Sequence, residues 1–296
     1  MHEPIITVAV WNLSTGCAAD DIRARTALDI LARYKPDIYL QQEDPSTSGD
    51  AIQRKGETED RLAMRGFSAT PNPVGGANIT ASVYIRTDTF PAAQFVPVAK
   101  PWSLHPSQVR VHLGDCPRPL NLLSLNLCAY DSDLRRTEAA WLTTLAHPGM
   151  VTLAAGSMNS YPSRPAENEL PSWEEGHDRA FWVQRTFVDP AGQRRNDTRP
   201  DATLRDSGFV DLAQYADQTL HQPHALYPTA GFHMPRDGGP QRTDRVYGAG
   251  GLEEAVIGVE VICGDALSAS RQALLLVRLS RETLARILTR PRAPAW

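Results

Sequence analysis

Long apolar runs are missing from this sequence of 296 residues. No stretch approaches the roughly 18 apolar residues that a membrane-spanning helix requires. The first ten residues, MHEPIITVAV, also lack the basic start and the small-residue cleavage site of a secretory signal peptide. We therefore expect a protein that makes no contact with a membrane and resides in the cytoplasm.

Cysteine is scarce as well. The four cysteines, Cys17, Cys116, Cys128 and Cys263, lie far apart and show no Cys-x-x-Cys spacing. This pattern argues against a structural zinc site and against a dense disulfide framework. We expect reduced thiols, no bound metal and no cofactor.

A surplus of basic residues is absent. The chain has 30 Lys and Arg against 34 Asp and Glu, which gives a formal charge of −4 and an isoelectric point of about 6.1. Proteins that grip a phosphate backbone usually carry a basic surplus or a basic stripe. The composition therefore disfavours nucleic acid as the partner and leaves a small-molecule ligand as the better expectation.

The composition otherwise fits a globular protein, because 42% of the residues are hydrophobic and can bury a sizeable core. No internal repeat and no clear linker divides the chain. We expect a single domain over 1–280, with a long, loop-rich insertion at about 162–200 that is rich in Pro, Arg, Asp and Asn. Residues 281–296 should form a short helix and a tail.

Alternating apolar runs and amphipathic segments predict an α/β fold. The run Ile5–Val10 indicates a buried strand, and the segment from Asp20 to Tyr34 has the apolar spacing of a helix. Further strands are predicted at 37–43, 81–86, 120–125, 150–155, around Val246, and at 254–262 and 273–279. Further helices are predicted at 135–146, 178–185 and 281–288.

Short polar strings lie at or near the ends of several predicted strands. In chain order they are Trp11-Asn12, Gln42-Glu43, Ser124-Leu125-Asn126-Leu127, Gly156-Ser157-Met158-Asn159, Arg242-Thr243-Asp244-Arg245-Val246-Tyr247 and Leu267-Ser268-Ala269-Ser270. This series resembles the motifs of the endonuclease/exonuclease/phosphatase (DNase I-like) family, over about 5–279. The resemblance implies a four-layer sandwich of two mixed β-sheets flanked by helices, with an active site at one edge of the sheets.

Members of that family cleave phosphate esters with Mg²⁺, chemistry that requires several carboxylates and at least one histidine. Four positions of this chain match the family's functional residues. By resemblance, Asn12 matches the Asn after the first strand and Glu43 the metal-binding Glu. Asn159 matches the Asn that holds the phosphoryl group, and Asp244 the Asp that orients the catalytic His.

Other motif positions have changed. Asn126 stands where the family has a His, Ser157 where it has an Asp, and Ala269-Ser270 where it has the closing Asp-His pair. No His follows His233, so a small shift of the alignment supplies none. These changes remove the groups that handle protons and bind the metal, so the sequence indicates a degenerate active site without efficient hydrolysis. Asp265 is a candidate replacement for the lost carboxylate.

Candidate roles follow from the side chains that remain. Glu43 is a candidate acid/base, with a structural, hydrogen-bonded carboxylate as its alternative. Asp244 is the second catalytic candidate, with an ion pair to Arg242 or Arg245 as its alternative. The candidate substrate-binding residues are Asn12, Asn126, Ser157, Asn159, Ser270, Tyr130 and His233; for Tyr130 and His233, a packing or surface role is the alternative.

Three functions remain open at this point. The leading hypothesis is a repurposed, metal-independent member of the family that acts on or binds a small organic molecule in the ancestral cleft, because the replaced side chains are smaller and less charged. A non-catalytic pseudo-hydrolase that binds a partner is the second. Residual Mg²⁺-dependent phosphoesterase activity through Glu43 and another carboxylate is the third.

Overall fold

The computed structural model describes residues 4–14, 21–45, 49–72, 79–98, 100, 102–166, 169–171, 173, 178–233 and 238–291. Cys17, Asp20 and residues 292–296 of the expected tail lie outside this part of the chain. Within it, no helix has the length and apolar character required to cross a membrane.

The strands and helices of the described residues alternate along the chain. Strands β1 to β14 are Ile5–Asn12, Ile38–Pro45, Arg65–Ser68, Ile79–Ile85, Ala92–Phe95, Ser107–His112, Leu120–Asn126, Val151–Ser157, Thr186–Val188, Arg194–Asn196, Val210–Asp211, Asp244–Ala249, Val256–Ile262 and Leu274–Ser280. Helices α1 to α8 are Asp21–Tyr34, Gly49–Leu62, Ser132–Leu142, Arg179–Arg185, Arg199–Asp206, Leu212–Leu220, Ala266–Ala269 and Arg281–Thr289.

Twelve of these strands form two six-stranded sheets. The first sheet has the order β13-β14-β1-β2-β4-β3, and the second has the order β11-β12-β8-β7-β6-β5. Each sheet contains one parallel pair, β1 with β2 and β7 with β8. The neighbouring pairs β1–β14 and β12–β8 are antiparallel. Both sheets are therefore mixed, as the resemblance implied.

Three apolar clusters show how the layers are stacked. The two sheets face each other across one cluster, in which Ile6 and Val8 of β1 lie with Leu122 of β7. Residues of opposite parity on β1, including Ala9, point outward and pack against Ile30 of α1. This alternation follows from the two-residue period of a strand. On the outside of the second sheet, α3 and α5 complete a four-layer sandwich of helix, sheet, sheet and helix.

The segment 162–200 contains more regular structure than its sequence suggests. Besides the predicted helical patch, which is α4, it forms the β9–β10 hairpin, and α5 begins inside it at Arg199. A buried ion pair holds this segment to the second sheet's outer helix, because Arg135 of α3 donates to the carboxylate of Asp197 at 2.8 Å. A three-residue strand is too short to leave a recognisable period in the sequence.

Candidate functional site

Four strands end at the same edge of the sandwich. In the parallel pairs, Asn12 of β1 lies beside Gln42 of β2, and Asn126 of β7 lies beside Ser157 of β8. Asp244, the first residue of β12, lies opposite Ser157 in an antiparallel pair. Because the carboxyl ends of parallel strands meet at one edge, the sheet topology brings the motif residues together.

Glu43 lies at an irregular point of β2, where the pairing with β4 shifts register after Gln41. Its φ of 58° is in the left-handed region, which a non-glycine residue adopts rarely and often at functional sites. The half-buried carboxylate accepts two amide hydrogen bonds at Oε1, from Asn12 at 3.1 Å and from Asn126 at 3.3 Å. These contacts fix the position of the carboxylate.

The three motif asparagines are oriented by their own contacts. Asn159 Nδ2 donates to Asn126 Oδ1 at 2.8 Å and to the carbonyl of Leu127 at 2.7 Å. Asn12 Oδ1 accepts from the backbone N–H of Ser14 at 2.8 Å, and Asn12 Nδ2 also donates to Ser157 Oγ at 2.9 Å. Since each amide has a defined donor and acceptor direction, the network presents a preorganised surface.

Asp244 is the buried end of this network. Its side chain accepts a short hydrogen bond from Ser157 Oγ, and its backbone N–H donates to Thr229 Oγ1 at 2.9 Å. Burial raises the pKa of this carboxyl from 3.8 to about 6, although hydrogen bonds to Ser157 and Thr229 act to lower it. The nearby negative charge of Glu43 raises the pKa further. The environment of Asp244 therefore favours the protonated form of its carboxyl more than water does.

The ion pair that the sequence suggested for Asp244 does not form among the described residues. Arg242 instead pairs with Glu169 at 2.6 Å and with Asp211 at 2.8 Å, and Arg245 donates to Ser160 at 2.7 Å. For Arg245, strand alternation explains the difference, since this immediate neighbour of Asp244 on β12 points to the opposite face. Arg242 precedes β12 and is held by its two buried carboxylate partners.

Gln272 is a site residue that the sequence did not indicate. Its amide is oriented by its partners: with the nitrogen toward Asp244, it donates to both carboxylate oxygens, and its oxygen accepts from Asn12 Nδ2 at 3.3 Å. Ser270, the residue aligned with the family's histidine, instead donates to the backbone carbonyl of Asn12 at 2.7 Å and accepts from the N–H of Gln272 at 3.1 Å. The backbone that follows α7 therefore places Gln272, and not Ser270, in contact with Asp244.

The network opens into a cavity of about 630 Å³, which we call the site cavity. Its polar wall includes Asn12, Glu43, Asn126 and Asn159. Its apolar wall includes Ile79, Trp102, Leu104, Leu127 and Leu134. Among the described residues that line it, Glu43 supplies the carboxylate and Arg185 the cationic group. Arg185 comes from the 162–200 segment and was not predicted.

The remaining predicted residues occupy different places. Tyr130 lines the site cavity with 78% of its surface exposed. His233 lines a second, adjacent cavity. Ser157, Asp244 and Ser270 are each 3% exposed and lie behind the wall of the site cavity. The sequence thus identified the polar network, whereas contact of these three residues with a ligand stays a prediction.

A further concave area is an open groove of about 430 Å³ between α1 and α2. Its wall includes the exposed ion pair of Arg61 with Asp29, whose atoms are 2.6 Å apart. Exposed ion pairs of this kind are common on protein surfaces. The motif residues do not line this groove, so we place the candidate site at the strand ends.

Comparison with known proteins identifies the fold. No protein-family model and no curated protein matches the sequence. Among solved structures, an endonuclease/exonuclease/phosphatase family protein from Bacteroides thetaiotaomicron matches with a TM-score of 0.60 and 13% identity, covering 94% of this chain and 95% of that one. The chain has the endonuclease/exonuclease/phosphatase fold.

Nucleic-acid enzymes with this fold also match. An AP endonuclease from Archaeoglobus fulgidus has a TM-score of 0.57 at 14% identity, covering 92% of this chain and 98% of that one. TDP2 from D. rerio, complexed with single-strand DNA product, has a TM-score of 0.56 at 14% identity, covering 93% of this chain and 99% of that one. At such identities the likeness establishes the fold and leaves the activity to be argued from the site.

The described wall of the site cavity offers few ligands for the Mg²⁺ that the resemblance implies. Within the described residues, no group of three or more His, Cys, Asp or Glu side chains is arranged to bind a metal ion. Asp265, the suggested replacement carboxylate, lies on the surface, 68% exposed, and pairs with Arg33 at 2.8 Å. Asp244 is engaged by Ser157, which leaves Glu43 as the carboxylate of the described cavity wall.

Proposed function

We propose that this protein uses the ancestral cleft without a metal, and that it binds and transforms a small organic molecule in the site cavity. One observation carries the proposal: the cavity wall combines oriented amides with apolar side chains, and its described part contains one carboxylate and one guanidinium. This is the lining expected of a pocket for a small organic ligand, in which a few placed polar groups fix the orientation.

The size of the site cavity supports this proposal. Its volume of about 630 Å³ lies within the range of small-molecule pockets. Trp102 forms part of the wall and packs edge-on against Trp141, with ring centroids 5.2 Å apart. Since the Trp102 side chain is held in this way, it offers a rigid apolar surface to a bound molecule.

We assign the acid/base role to Glu43, because it is the carboxylate that the described wall presents to a ligand. Asn12, Asn126 and Asn159 would orient polar groups of the substrate. Asp244 is a positioning residue in this proposal. The carboxyl of Asp244 accepts a hydrogen bond from Ser157, and the Ser157 oxygen accepts one from the Asn12 amide. The same Asn12 amide contacts Glu43, so the protonation of Asp244 is linked to Glu43 through Ser157 and Asn12.

We propose chemistry without a metal because Ser157 stands where the resemblance implies an Asp. A carboxylate there would lie beside Asp244 and near Glu43, and clustered carboxylates are stabilised by a bound cation. The hydroxyl of Ser157 makes the cation unnecessary, because it donates to Asp244 and accepts from Asn12. The net charge of −4 supports the further proposal that nucleic acid is not the substrate.

A cytoplasmic location is part of the proposal. Among the described residues, Cys116, Cys128 and Cys263 are free thiols. Free thiols persist in reducing compartments, whereas secreted proteins tend to pair them.

A ligand screen with a blocked-cavity variant tests the proposal. Small organic metabolites are screened by thermal shift in the presence of EDTA, and each hit is titrated by calorimetry. Ala129→Phe places a ring in the wall of the site cavity and should weaken binding by about ten-fold or more. Ala140→Phe adds the same ring on the exposed surface of α3 and should leave the affinity unchanged.

Two results would contradict the proposal. Hits that bind both variants equally would place the ligand outside the site cavity. Compounds that bind only in a parallel screen with Mg²⁺ and without EDTA would show that the cleft still depends on a metal.

A further inference from the structure

A second cavity, of about 210 Å³, adjoins the site cavity, and the two share Arg185 and Gln272 in their walls. We call it the arginine pocket. Its wall also includes Arg271, His233, Phe181 and Phe232. Among the described residues that line it there are two arginines and one histidine but no carboxylate. Counted over the described lining residues, the arginine pocket therefore carries a surplus of positive charge, whereas the site cavity has one carboxylate and one guanidinium.

Arg185 is a buried cation at the border between the cavities. It is the last residue of α4, and only 9% of its surface is exposed. Its guanidinium lies over the ring of Phe181, 4.8 Å from the ring centroid, which holds the planar group in a fixed position. Arg185 also interacts electrostatically with the polar network. Burial raises the pKa of Asp244 and is the larger effect, whereas the positive charge of Arg185 acts to lower it. A ligand in either cavity meets this guanidinium.

Arg271 supplies the second positive charge in the wall of the arginine pocket. The side chain is exposed, and no described carboxylate pairs with it. Several other arginines do have such partners, for example Arg33 with Asp265 and Arg290 with Glu254. Within the described part of the chain, Arg271 therefore brings a positive charge without a paired carboxylate to the wall of the pocket. Guanidinium groups bind carboxylates and phosphates with paired, charge-assisted hydrogen bonds.

We infer that the arginine pocket binds the anionic group of the ligand, a carboxylate or a phosphate, while the body of the ligand lies in the site cavity against Glu43. This inference rests on the proposed function, because it assigns a chemical class to the same ligand. Phe181 and Phe232 favour a planar group next to the anion. Two separate cavities keep the anion away from the Glu43 carboxylate and so avoid repulsion.

The test titrates the protein with benzoate, phenyl phosphate and the neutral analogue benzamide, followed by NMR. Backbone amide shifts of Ala230 and Gly231 report on the arginine pocket, and those of Ala129 and Tyr130 report on the site cavity. Both anions should shift the first pair and bind more tightly than benzamide. Comparing benzoate with phenyl phosphate shows which anion the pocket prefers.

Two variants locate the charge that binds the anion. Arg271→Gln should weaken binding of the anions by about ten-fold and leave benzamide unaffected, because a charge-assisted hydrogen bond is lost. Arg136→Gln removes the same charge from an exposed position of α3 that lines neither cavity, and it should change nothing. Both positions are exposed, so both variants should fold.

Equal binding of benzoate and benzamide would overturn the inference, and so would an affinity for the anions that Arg271→Gln does not change. The amides of the two cavities separate this failure from failure of the proposed function. Shifts at Ala129 and Tyr130 without anion-induced shifts at Ala230 and Gly231 would refute the arginine pocket and leave the ligand site in place.

Discussion

A Glu43→Gln variant should turn over the ligand of the site cavity between about a hundred and ten thousand times more slowly than the wild type, the range that general acid/base catalysis contributes. Folding should be almost unaffected. Both hydrogen bonds from Asn12 and Asn126 end on Oε1, and the glutamine oxygen can accept both, although without the carboxylate's negative charge. The variant therefore removes the ionisable group while keeping the shape of the side chain and an acceptor for these two hydrogen bonds.

The measurement compares kcat and the melting temperature of the wild type and the variant on a compound that the ligand screen identifies. The melting temperature should change by less than about 2 °C. Glu282→Gln, on the exposed start of α8, is the matched control and should alter neither quantity. Unchanged turnover in Glu43→Gln would assign Glu43 to a structural role, the alternative that the sequence left open.

An Asp244→Asn variant should be more stable than the wild type above pH 6, by about 3 kcal/mol as an upper value. The native pKa of Asp244 is raised from 3.8 to about 6, so the folded protein holds this proton more tightly than the unfolded chain. The corresponding stabilisation is fully present below about pH 3.8 and is lost as the pH rises through about 6. Above that pH the wild type retains a buried, charged carboxylate, which asparagine replaces with a neutral amide.

Chemical unfolding at about pH 4 and pH 8 measures this effect. The difference in unfolding free energy between Asp244→Asn and wild type should be near zero at pH 4 and reach its full value at pH 8, where the melting temperature rises by about 5 °C. A variant that is equally or less stable than wild type at pH 8 would show that the folded protein stabilises the charged form of Asp244.

Asp211→Asn is the matched contrast, because this aspartate is also buried but pairs with Arg242 at 2.8 Å. Asparagine retains the acceptor that caps the start of α6, where Asp211 Oδ1 accepts from Ala213 and Gln214. It leaves the Arg242 guanidinium with Glu169 as its remaining ionic partner. Asp211→Asn should therefore destabilise the fold at pH 8, by about 3 kcal/mol.

The sequence was sufficient to locate the polar network because strand ends converge by topology. Asn12 and Glu43 follow neighbouring parallel strands, and so do Asn126 and Ser157, so their proximity required only the correct strands and their order. The resemblance supplied that order, and the fold agrees with it. Strand and helix patterns alone are shared by many α/β proteins and would have identified no cleft.

The sequence did not reveal the residues that loops bring to the site. Arg185 reaches both cavities from a segment that was expected to be mostly loop. Gln272, and not Ser270, contacts Asp244 because of the backbone path between α7 and β14. Neither feature leaves a period or a motif in the sequence, since both depend on contacts between distant segments. The sequence also did not predict helices α2, α6 and α7 or strands β3, β5, β6 and β11.

Metal titration combined with hydrolysis tests the central claim most directly. Calorimetry with Mg²⁺ and Mn²⁺ should give dissociation constants no tighter than about the millimolar range, since one engaged carboxylate binds a reluctantly dehydrated ion poorly. Plasmid DNA and a chromogenic phosphodiester should not be cleaved above the level of a Glu43→Ala control. Metal-dependent cleavage that disappears in Glu43→Ala would contradict the account and restore a metal-dependent hydrolase.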